Sequence, residues 1–150
     1  MVKVSTIIIT VLLALLASHG ILVLVAPAMV LEGDFQAMTG KSYQGVLEPD
    51  AVRVSLVHIR HMEVYGFTAT IAVFFILFAG FRKEQKWAWW AMLIVGSVAL
   101  GFGTVLNLVI GNMFDFSIFL VGLVVYMVAL FLPIKRFFVA RAENPHSASG

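Results

Sequence analysis

Residues 87–110 read WAWWAMLIVGSVALGFGTVLNLVI, an aromatic cluster followed by an apolar run without one charged side chain. At 1.5 Å per residue such a segment extends roughly 36 Å as an α-helix, enough to cross a hydrocarbon core of about 30 Å. Within lipid a single segment can satisfy its own backbone amides and carbonyls only as a helix. Tryptophan favours the headgroup level, where its ring is buried and its N–H stays wet, so Trp87, Trp89 and Trp90 are expected to anchor one boundary of this span.

Working outward, three more apolar blocks of roughly 18 to 24 residues have the same character. The first runs from Ser5 to Ala26 and stops at Pro27; the second is predicted over 51–81, with Val64 to Phe81 crossing the lipid; the fourth covers 114–134 and is closed by Pro133, Lys135 and Arg136. Apolar residues make up 61% of the chain against 12% charged, with a mean hydropathy of +1.02. A soluble domain of this size would be about a quarter charged. The reading is therefore all-α: one integral membrane domain of four transmembrane helices. Residues 27–50, with Gly33, Gly40, Gly45 and Pro49, read as an outer loop without helical period, and Asp50 as an N-cap for the second span. Residues 142–150 read as a polar, frayed tail.

The first span has a single Lys3 in front and small residues behind, as a signal peptide would. Its apolar run exceeds the usual core of about 7 to 15 residues, which favours a retained membrane helix. With no cysteine, disulfides, thiolate metal sites and thiol catalysis are excluded. The net charge of +2 and pI near 9.2 do not signal nucleic acid, because the basic residues map onto helix ends. Lys3, Arg82, Lys83, Lys86, Lys135, Arg136 and Arg141 fall on one side, and Lys41, Arg53 and Arg60 on the other. This distribution predicts a multi-pass protein of the cell membrane with both termini cytoplasmic.

On the third span Gly96, Ala99, Gly103 and Asn107 share one face, and Ser97, Gly101 and Thr104 another about 100° round. Small residues let membrane helices approach closely, so this span is expected to sit centrally, packed on two sides through Gly96, Ala99, Gly101 and Gly103.

Ionisable residues near the bilayer concentrate at the outer end of the second span. At 100° per residue His58, His61, Met62 and Tyr65 share an edge, while Arg60 and Glu63 lie opposite, on an edge that reads as wet. Histidines at i and i+3 can reach one metal ion, with Tyr65 one turn on, although this is not a recognised ligand motif. His19, deep in the first span, is a functional candidate because ionisable groups inside a membrane are costly. If the third span packs on the first, His19, His58, His61, Tyr65 and Asn107 would line an outer pocket for a polar headgroup, a quinone or a metal.

Residues 81–90, Phe-Arg-Lys-Glu-Gln-Lys-Trp-Ala-Trp-Trp, resemble the charged turn and aromatic helix start of small four-helix membrane proteins of bacteria and archaea, DoxX-like ones included. The likeness, with the four-span layout, implies a fold and a membrane location but no active site. Two readings follow. One is a non-catalytic accessory subunit that works by packing against other membrane subunits or copies of itself. The other is a binding protein or enzyme for a lipid-like molecule, quinone or metal. The lack of a catalytic motif favours the first, and the sequence names no cofactor.

Overall fold

The computed structural model describes residues 1–139 and contains helices α1 (Val2–Val25), α2 (Pro27–Thr39), α3 (Pro49–Ala79), α4 (Lys86–Ile110), α5 (Met113–Phe131) and α6 (Ile134–Phe138), with a 3₁₀ turn at Phe81–Lys83. The described residues contain no strand. Four segments, Val2–Val25, Pro49–Lys83, Lys86–Ile110 and Met113–Phe131, are long and apolar enough to cross a membrane. The fold is an all-α four-helix bundle of membrane character; the expected tail at 142–150 and Arg141 lie outside the described residues.

The loop expected at 27–50 instead contains α2. Pro27 occupies the first turn, where its missing N–H costs nothing, and Gly40 closes the helix in the left-handed conformation (φ 70°), its N–H bonding the Gln36 carbonyl at 2.8 Å. The helix is short and mixed in polarity, so its periodicity is faint, but it buries Pro27 and Leu31 against the bundle. The Ser42 hydroxyl donates to Glu32 Oε2 at 3.0 Å and ties the following loop to it. α3 starts two residues earlier than expected: Pro49 takes its first turn, Glu48 the cap position, and Asp50 lies inside. The last span ends at Phe131, and Pro133 takes the cap position of the separate α6.

α1 packs on α3 and α5, and α4 packs on the same two helices, so the four spans close into a ring. The expected central position of α4 is not what forms: in a ring each span has two neighbours, and α1 and α4 stand on the diagonal. The α4–α5 pair is the most extensive. Gly96 receives the Tyr126 ring, and a Cβ at Gly103 would lie 2.5 Å from Phe119. The Tyr126 hydroxyl donates to the Met92 carbonyl at 2.7 Å, Trp89 Nε1 to the Leu130 carbonyl at 3.0 Å, and Ser97 Oγ contacts Met127 Sδ at 3.4 Å.

Packing is tightest toward the end formed by the start of α1, the 3₁₀ turn and α6. Ile9, Leu77, Phe81, Met92 and Leu130 are fully buried there, and Phe81 meets Phe137 at 4.9 Å between ring centroids. Gly80 allows this end to close, since a Cβ on it would lie 2.5 Å from that of Ala88. The opposite end is looser and carries the candidate polar groups.

Candidate functional site

That looser end brings together the end of α1, α2, the front of α3 and the α4–α5 turn. Antiparallel packing sets Gly20 of α1 opposite Glu63 and Phe67 of α3, so the first turns of α3 project past the end of α1. α2 lies against both helices in that space.

The two edges of α3 face the other way from the sequence expectation. Glu63 is half-buried on α1: a Cβ at Gly20 would lie 2.5 Å from its Oε1. His58 and His61 are exposed, and Tyr65 is 72% exposed, so the histidine edge points away from the bundle. The reason is the rest of the helix, because Glu63 shares its face with Phe67 and Thr70, the residues that line the contact with α1. A period alone gives relative directions and leaves open which edge faces inward.

His19 is exposed and lies within electrostatic reach of Glu63 and Asp34. Asn107 is on α4, diagonal to α1, and its side-chain amide donates to the Gly103 carbonyl of its own helix at 2.9 Å. The five expected pocket residues are therefore distributed over different surfaces. Among the described residues no group of three or more histidine and acidic side chains is placed to hold a metal ion.

What gathers instead is a pair of acids: Asp115, which at its outer level is a candidate ligand from the sequence, and Asp34, which the sequence did not mark. An open hollow of about 230 Å³ lies between α1, α2 and the α4–α5 turn, with Leu22, Met29, Asp34, Asn112, Phe114 and Asp115 in its wall. Asn112 caps α5, accepting from the Asp115 N–H at 3.2 Å and donating to Asp115 Oδ2 at 2.7 Å. Burial holds the Asp34 carboxyl above its ordinary range; Asp115 adds to this, and His19 opposes it. The cap was legible in Gly111-Asn112-Met113-Phe114-Asp115, but the meeting with Asp34 depends on α2.

The packing and anchor residues divide as well. Gly96 and Gly103 accept rings of α5, whereas Ala99 is exposed and, among the described residues, no side chain or other helix lies near enough to meet an added Cβ at Gly101. Trp87 and Trp90 are each 52% exposed, while Trp89 is turned into the core at 3%. Trp89 lies two residues from Trp87, about 200° round the helix, which takes it from the boundary to the α5 side. Comparison of the chain with protein-family models, characterised proteins and solved structures finds no match.

Proposed function

We propose that this chain is a small non-catalytic subunit of a larger membrane assembly, lying in the cell membrane with both termini cytoplasmic and working by packing against another subunit's helix. Gly101 carries the reading. Glycine within a helix costs about 0.5–1 kcal/mol relative to alanine. Gly96 and Gly103 offset that cost by admitting Tyr126 and Phe119, but Gly101 admits nothing from the described chain. It lies on α4 beside Ile94, Val98 and Val105, which are 61%, 65% and 60% exposed. A small residue between bulky aliphatic neighbours is a notch into which a second membrane helix fits closely. The likeness of residues 81–90 to small four-helix membrane proteins agrees with this reading and adds no site to it.

Gentle purification from native membranes tests the proposal. Migration with stoichiometric partner subunits is the expected result. Migration alone with a bound small molecule that is lost on replacing His19, His58 and His61 would support the binding-protein reading instead.

A further inference from the structure

Six cations gather at the tightly packed end: Lys3 on α1, Arg82 and Lys83 in the 3₁₀ turn, Lys86 on α4, and Lys135 and Arg136 on α6. Glu84 is the one carboxylate beside them among the described residues. All seven side chains are exposed. The opposite end, with Glu32, Asp34, Glu48, Asp50, Glu63 and Asp115 against Lys41, Arg53 and Arg60, has the reverse balance.

The arrangement at the basic end is more specific than a tally of charge. α6 turns back on the start of α4, burying Phe137 and leaving Phe138 at the rim. Lys86 Nζ lies 5.8 Å from the Phe138 ring centroid, and the Trp90 ring lies 6.2 Å from it. Lys86 and Trp90 are one turn apart on α4, so they share a face. The indole of Trp87 donates to Gln85 Oε1 and that of Trp89 to the Leu130 carbonyl, whereas that of Trp90 bonds no other described residue. The result is a cation, a free indole N–H and an apolar ring on one exposed face at the boundary of a membrane span. Arg82 is similarly held over Phe78, at 5.1 Å.

We propose that this end is a binding surface for phospholipids with anionic headgroups, with Lys86 and Trp90 gripping one headgroup beside Phe138. Lys86 Nζ meets the phosphate, the Trp90 N–H donates to a phosphate or ester oxygen, and Phe138 lies against the glycerol and upper acyl chain. Lys135 and Arg136 add attraction over the Debye length.

The test is native mass spectrometry of the full chain released from mixed phosphatidylglycerol and phosphatidylcholine micelles. The wild type should retain phosphatidylglycerol in preference. Lys86→Gln, Lys135→Gln and Arg136→Gln should each lower that retention about fivefold, the factor expected for one basic side chain near an anionic surface. Arg53→Gln with Arg60→Gln, at the other end, should leave it unchanged. Equal retention of the two lipids by the wild type, unaltered retention in the triple variant that combines Lys86→Gln, Lys135→Gln and Arg136→Gln, or an equal loss in the Arg53 and Arg60 variant would each overturn the proposal. Should the triple variant not fold, Lys86→Gln alone decides the matter by the same comparison.

Discussion

The Tyr126 hydroxyl donates to the Met92 carbonyl across the α4–α5 interface at 2.7 Å, and the ring that carries it lies in the space left by Gly96. Contact and hydrogen bond depend on each other, because the ring reaches the α4 backbone only where a side chain is missing.

Gly96→Leu is therefore expected to destabilise the bundle strongly, by about 3 kcal/mol, since a side chain there would overlap the buried Tyr126 ring. Tyr126→Phe keeps the ring and should cost about 1 kcal/mol, the net worth of one hydrogen bond. Gly101→Leu, by contrast, should leave the isolated protein as stable as the wild type. Thermal unfolding in mild detergent orders the three, and equal tolerance of Gly96→Leu and Gly101→Leu would refute the division.

A second prediction concerns α2. The folded state favours the protonated Asp34 carboxyl, whose pKa lies above the ordinary 3.8, so α2 docks best in acid. Docking weakens as pH rises through 3.8 toward the raised value, because the undocked carboxyl gives up its proton first. Asp34→Asn should remove this dependence and slow hydrogen exchange over Pro27–Thr39 at neutral pH. Exchange in that variant indistinguishable from wild type would show that the carboxyl costs nothing.

Replacing the exposed His58 and His61 with alanine should change stability by less than about 0.5 kcal/mol and leave co-purification of the proposed partner subunits unchanged. Loss of the partners on this double replacement would place the histidine edge at the interface and move it away from Gly101.

A reporter fused after Gly150 should be active only on the cytoplasmic side, from the basic residues gathered at that end of the bundle. Activity outside the cell would reverse the orientation.

The spans were legible because each is an apolar run of membrane length, a property that needs no partner to be read. The short α2 was not, since its termini, Pro27 and Gly40, also occur in loops and its stability comes from docking. Helical periodicity separated the Glu63 edge of α3 from the His58 edge, but which one met α1 was settled by Phe67 and Gly20 on either side of the contact. In the same way, the glycines of α4 were visible as a set. Only the positions of Tyr126 and Phe119 distinguish the two that are filled from Gly101.

The notch at Gly101 can be probed directly because the chain has no cysteine of its own. A Gly101→Cys variant expressed in native membranes, labelled with a short photoreactive maleimide and irradiated, reports what lies against that face of α4. The packing account predicts a discrete adduct with one membrane protein, and labelling of lipid alone would contradict it.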